Sequence, residues 1–148
     1  KRLVPGYEAP THIAWSEKNR SPLLRVPASR GSGSRVELRS PDPSCNPYLA
    51  LAAILGAGLD GIEKNMVPPE PIVCNVYKMN GAERLEQGIA SLPGNLEEAL
   101  QALIDDSVIA NVLGPHCMNY FVEAKRQEWQ EYISQVTKWE LDRYLARY

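Results

Sequence analysis

The sequence predicts an α+β fold, in which a few antiparallel strands of a partial sheet precede a mainly helical region. Three observations predict it. Seven of the twelve prolines fall in the first 47 residues and exclude long helices there. From Asn46 onward the apolar residues recur at helical spacing. Nearly all strand signals come before nearly all helix signals, which is α+β order rather than βαβ alternation. The boundary divides residues 1–45, strand-rich, from residues 46–148, helical.

Three short runs read as strands. His12–Ser16 and Leu23–Val26 are moderately apolar, and Arg35-Val36-Glu37-Leu38-Arg39 alternates strictly between charged and apolar residues. Residues 28–34, rich in Ser and Gly, read as a loop. Asn46 is a helix cap with Pro47 at the first helical position. The run Tyr48–Ile62 is apolar on most sides, so that helix is expected to be buried on most sides. Pro68, Pro69 and Pro71 mark a loop, with a short strand expected at Ile72–Val76. Helices are expected at 81–88, 95–104, 106–113, 115–136 and 138–147. Asn95 caps the second, with Glu97 and Glu98 in its first turn, where the helix dipole favours them. Met118, Phe121, Val122, Trp129, Tyr132, Ile133 and Val136 form a stripe expected to be core or subunit contact.

Composition narrows the function. The net charge of −2 gives no global basic field for nucleic acid, and no apolar run is long enough to span a bilayer. The charge is uneven, however: residues 1–40 carry +5 and residues 41–148 carry −7. The basic excess is mostly arginine, whose planar fork pairs bidentately with phosphate and carboxylate. Cys45, Cys74 and Cys117 form no CxxC pair and read as free buried thiols of a reducing, cytoplasmic compartment. His12 and His116 have no partner at ligand spacing and read as structural. The chain opens on Lys1, with neither an apolar leader nor an initiator Met, and reads as a piece of a longer protein.

At period two, Arg35, Glu37 and Arg39 project from one face of their strand. A carboxylate between two guanidinium groups stays ionised. Such a row suits a phosphorylated, metal-bound substrate, the carboxylate binding a divalent cation and the arginines binding phosphate oxygens. A solvated face with a cross-strand ion-pair ladder is the other reading of this stretch. Arg20 and Arg25 bracket another strand and would bring further guanidinium groups to a polyphosphate. Glu8 lies in a loop bounded by Gly6 and Pro10, of the kind that often carries catalytic side chains.

Taken in order, these segments resemble the bacterial type I glutamine synthetases. The resemblance rests on Lys1-Arg2-Leu3-Val4-Pro5-Gly6-Tyr7-Glu8-Ala9-Pro10, Asn19-Arg20-Ser21 with Arg25 and Pro27, and Arg35–Arg39. Asp42-Pro43, Asn46-Pro47-Tyr48-Leu49, Leu59-Asp60-Gly61-Ile62, Leu92-Pro93 and Leu96–Ala99 continue it, as do Phe121–Lys125, Glu128-Trp129, Trp139-Glu140 and Tyr144. It implies a fragment of the catalytic domain of glutamine synthetase/guanido kinase-like fold. It also implies an ATP-dependent ligase joining ammonia to L-glutamate through γ-glutamyl phosphate, with Mg2+ or Mn2+ in a two-metal site.

Carried over residue by residue, the resemblance puts Arg2, Glu8, Arg20 and Arg39 at the substrate glutamate. Glu8 is implied to be the flap glutamate that takes a proton from ammonium, Arg20 to contact ATP phosphates and the transferring phosphoryl group, and Arg25 and Arg35 to lie on the nucleotide side. Glu37 is implied to be one metal ligand. Tyr77 falls where an adenylylated subgroup bears its tyrosine, but Cys74–Asn80 looks more like the subgroup governed by feedback and partner proteins. The implied assembly is a homo-oligomer, a two-ring dodecamer, with L-glutamate, ATP and ammonium as small-molecule partners. The fragment alone is expected to be inactive. A γ-glutamyl-amine ligase of the same fold, or a non-catalytic assembly or regulatory module, are the alternatives.

Overall fold

The structure is a computed structural model that describes Leu3 and residues 9–146. These form two compact units, Lys1–Leu92 and Pro93–Tyr148.

In the first unit the strands are very short. β1 (His12–Ile13) pairs antiparallel with β5 (Ala90–Ser91), with His12 opposite Ser91. β2 (Trp15–Ser16) pairs parallel with β3 (Leu24–Arg25), and β3 pairs antiparallel with β4 (Glu37–Leu38). The single strand expected at His12–Ser16 is therefore two strands in two different sheets, meeting at Ala14. β5 lies within the stretch the sequence reads as helical, held by Leu92 N–H donating to Thr11 O at 2.8 Å. No strand forms at Ile72–Val76. Ile72 N–H donates to Trp15 O at 2.8 Å, Pro71 has no N–H to continue a ladder, and Asn75 caps a 3-10 turn at Val76–Lys78.

The core of this unit gathers around that turn. Val76, Met79 and Ile89 are buried, with Ala14 and Ile72 packed against them. Pro22 and Leu23 are also buried as they lead into β3.

Helix α1 (Pro47–Glu63) starts where expected: Asn46 Oδ1 accepts from Tyr48 N–H at 3.0 Å and Leu49 N–H at 3.3 Å. It ends with Met66 N–H on Gly61 O, a closure that Asn65 allows by adopting φ 51°. Contrary to the expected burial, no residue of α1 is buried, and Tyr48, Leu51, Leu55, Leu59 and Ile62 are exposed. A helix this apolar requires cover that the described residues do not supply. α2 (Gly81–Glu86) opens with a reciprocal cap between Asn80 and Glu83.

In the second unit α3 (Leu96–Asp105) packs on α4 (Ser107–Ile133), and Leu100 is buried between them. Gly114 interrupts α4 at φ 74°, ψ 159°, immediately before Pro115. The two helices expected on either side of residue 114 are thus two helical segments joined at that kink. Along the stripe, Met118, Phe121, Val122 and Trp129 are half-buried, whereas Tyr132, Ile133 and Val136 are exposed. α5 (Lys138–Tyr144) is capped reciprocally by Thr137 and Glu140, and Trp139 meets Tyr144 edge-on at 5.9 Å. Among the described residues no helix is long and apolar enough to cross a membrane.

Candidate functional site

Antiparallel pairing sets Arg25 of β3 opposite Glu37 of β4. The Glu37 carboxylate joins the two strands. Its Oε2 accepts from Arg25 Nη1 at 2.8 Å, and its Oε1 accepts from Arg35 Nε at 2.9 Å. Arg35 Nη2 also lies 2.9 Å from Oε1, so that arginine grips one oxygen with two nitrogens. The Arg25 hydrogen bond, more than any other contact, holds the Glu37 carboxyl below its ordinary range; Arg35 adds to the effect and desolvation opposes it. Glu37 is therefore an ionised carboxylate throughout the neutral range. Arg25 Nε is buried and has no acceptor among the described residues.

Arg39 does not join this cluster. Its backbone N–H donates to Leu23 O at 2.9 Å and its Nη1 to Pro22 O at 3.3 Å, so it braces the approach to β3. The expected row of Arg35, Glu37 and Arg39 is thus a bonded pair plus an arginine turned to the neighbouring backbone. Arg20 is exposed and its guanidinium makes no hydrogen bond or ion pair among the described residues. Arg2 and Glu8 lie outside the described residues.

Beside Arg35 lies an open hollow of about 400 Å³, lined by Val26, Pro27, Ser29, Arg30, Ser34, Arg35 and Val36. Arg30 closes one side, its Nη1 donating to Pro27 O at 2.8 Å. The sequence reading did not single out Arg30. It also missed Asn19 and Ser21, whose side chains tie the Arg20 loop down. The Asn-x-Ser spacing around Arg20 was the available signal, because Asn side chains accept from the backbone two residues on.

Could these residues hold a divalent cation? No group of three or more His, Cys, Asp or Glu is clustered among the described residues. Glu37 offers one hard, ionised carboxylate. Two arginine hydrogen bonds engage it, and a carboxylate presents about four acceptor positions. Acceptor capacity therefore remains for a cation, which fits Glu37 as a single contributor to a shared site and not as a site by itself.

The other singled-out residues are structural or exposed. Buried His12 shares a hydrogen bond between Nδ1 and Ser91 Oγ at 3.1 Å; burial, and then the nearby Arg84 charge, hold its pKa below the ordinary value. His116 meets Tyr120 in a tilted ring contact, centroids 4.7 Å apart. The cysteines are free, but Cys45 and Cys74 are exposed rather than buried as expected.

Comparison with known proteins gives the family of the chain. The family described as glutamine synthetase, catalytic domain, matches residues 1–144. The chain is 58% identical over all 148 residues to glutamine synthetase of Thermus thermophilus and 55% identical to that of Staphylococcus aureus strain MW2. It spans 33% of the length of each. Ligand-free GmaS superposes with a TM-score of 0.76 at 38% identity, covering 93% of this chain and 30% of that one. A Plasmodium falciparum glutamine synthetase structure shares the fold, with a TM-score of 0.76 at 24% identity over 97% of this chain and 36% of its own. The chain belongs to the glutamine synthetase catalytic-domain family.

Proposed function

We propose that this chain supplies the C-terminal third of a glutamine synthetase, and with it the arginine-rich, phosphate-handling wall of the active site. The cross-strand group Arg25–Glu37–Arg35 is the observation that carries this reading. Glutamate's carboxylate is a poor electrophile, so ATP must first convert it to γ-glutamyl phosphate, which ammonia then attacks with release of phosphate. The transferring phosphoryl group is dianionic, and fixed cationic donors stabilise its charge.

Arg20, whose guanidinium has no partner among the described residues, reaches the ATP phosphates and the transferring phosphoryl group. Arg25 and Arg35 hold the nucleotide side, with the Arg30-lined hollow beside Arg35 available to the rest of the nucleotide. Arg39 and Arg2 bind the substrate glutamate. Glu8 takes the proton from ammonium in a site closed to water, where the acyl phosphate escapes hydrolysis. Glu37 would hold one divalent cation, Mg2+ or Mn2+, together with ligands from elsewhere in the longer protein. The cation would neutralise phosphate charge when bound. Before it arrives, the two arginines keep the Glu37 carboxylate ionised and oriented.

Assembly as a two-ring homo-oligomer in the cytoplasm belongs to this proposal. A γ-glutamyl-amine ligase would use the same phosphate wall. The test uses a full-length synthetase carrying this sequence, prepared by exchanging it for the matching third of the Thermus thermophilus relative. Glutamine formation dependent on ATP, glutamate and ammonium is expected. Strong preference for an alkylamine or polyamine over ammonium would establish the other ligase. No ligation with any amine, in a correctly assembled oligomer, would overturn both.

A further inference from the structure

We infer that Asn19 and Ser21 are positioning residues that aim Arg20. The inference rests on the role proposed for Arg20 above. Arg20 sits between two side chains anchored to one distant segment. Asn19 Nδ2 donates to Cys74 O, and Ser21 Oγ accepts from Val76 N–H at 3.1 Å. Asn19 Oδ1 also accepts from Ser21 N–H at 2.9 Å, closing a tight turn around Arg20 itself. On the N-terminal side Ser16 Oγ accepts from Asn19 N–H at 3.1 Å, tying the turn to β2.

These anchors are firm. Ser16 and Ser21 are buried, and Val76 is fully buried at the centre of the unit's core. The backbone on both sides of Arg20 is therefore fixed to the core, while its guanidinium has no protein partner among the described residues. Ordinary surface arginines have mobile surroundings as well as a free head group. Here the backbone on both sides of Arg20 is hydrogen-bonded in place, which lowers the ordering cost when an anion arrives. The same clamp passes through Pro22, whose carbonyl accepts from Arg39 Nη1 at 3.3 Å. One loop thus presents Arg20 and supports Arg39.

A double-mutant cycle in the assembled full-length synthetase tests this. Asn19→Ala and Ser21→Ala are each expected to lower kcat about tenfold while leaving the KM for ammonium unchanged, because a misaimed transition-state contact costs rate. Arg20→Ala is expected to lower kcat about a hundredfold. Added to Arg20→Ala, either clamp substitution is expected to cost less than about twofold more, since the clamp acts through Arg20. Should one clamp variant fail to assemble, the other carries the cycle. Failure of both to assemble would assign them to folding and overturn the inference. Parent-like kcat in both, or losses that multiply in the double variants, would also overturn it and leave the reading of the site intact. Parent-like kcat in Arg20→Ala would instead bring down the reading of the site, and this inference with it.

Discussion

Val76→Ala tests whether the core beneath the candidate site is built as described. Val76 has no exposed surface and packs with Met79 and Ile89. The substitution removes two methyl groups, about 1.6 kcal/mol at roughly 0.8 kcal/mol each. The void left behind adds up to about 1 kcal/mol at roughly 24 cal/mol per Å³. A total of about 2–3 kcal/mol is a large share of the stability of a unit with so few buried apolar residues. With a urea slope of about 2 kcal/mol per M, the midpoint should fall by roughly 1 M. Val73→Ala is the control, because Val73 is 92% exposed three residues away. It should shift stability by less than about 0.5 kcal/mol. Urea unfolding of the 148-residue chain, followed by circular dichroism, reads both. Equal midpoints for the two variants would refute the core assignment. The backbone N–H that holds Ser21 survives in Val76→Ala, so the loss reports packing and not the clamp.

The remaining predictions concern charge and assembly. Burial lowers the His12 pKa, so stability is full above about pH 6.5 and falls as the pH drops through the lowered folded value; thermal unfolding of His12→Gln should lose that acid-side slope. The Arg25 and Arg35 hydrogen bonds lower the Glu37 pKa, so this ion-pair link between the strands is intact above the ordinary glutamate pKa and is lost as the pH falls through the lowered value; carboxyl NMR of Glu37 should show its titration shifted to higher pH in Arg25→Ala. The purified 148-residue chain should form no glutamine from ATP, glutamate, ammonium and magnesium, since its described residues hold no complete metal cluster. It should also self-associate in light scattering through the exposed apolar side chains of α1; a monomer at high concentration would contradict that.

Much of this architecture was legible in the sequence where the cause is local. Asn46 with Pro47, and Asn95 with Glu98, are caps whose partners lie within three residues, so their helices start where the sequence puts them. Gly114-Pro115 announced its own break, because glycine alone tolerates that φ readily and proline cannot continue the hydrogen-bond ladder. Alternation exposed the Glu37 strand, but not its true neighbour. Glu37 bonds Arg25 across the sheet, and the register between strands is not a local property. For the same reason Ala14 hid a change of sheet inside one apolar run, and the hydrogen bond from Arg39 to Pro22 O was not legible. The Asn-x-Ser spacing signals the local turn from Ser21 N–H to Asn19 Oδ1, but the contacts that the two side chains make 55 positions away leave no such mark. Apolar composition misled at α1, where it signals a need for cover without naming what provides it.

The proposed function makes Glu37 a metal-binding carboxylate set among phosphate-binding arginines. Manganese titration of the full-length synthetase, followed by electron paramagnetic resonance, tests it most directly against Glu37→Gln, which keeps the shape and removes the charge. The account predicts that the variant loses one class of bound Mn2+ per subunit, and with it most of the glutamine formation, while the oligomer remains assembled. Undiminished Mn2+ binding and undiminished activity in Glu37→Gln would contradict it.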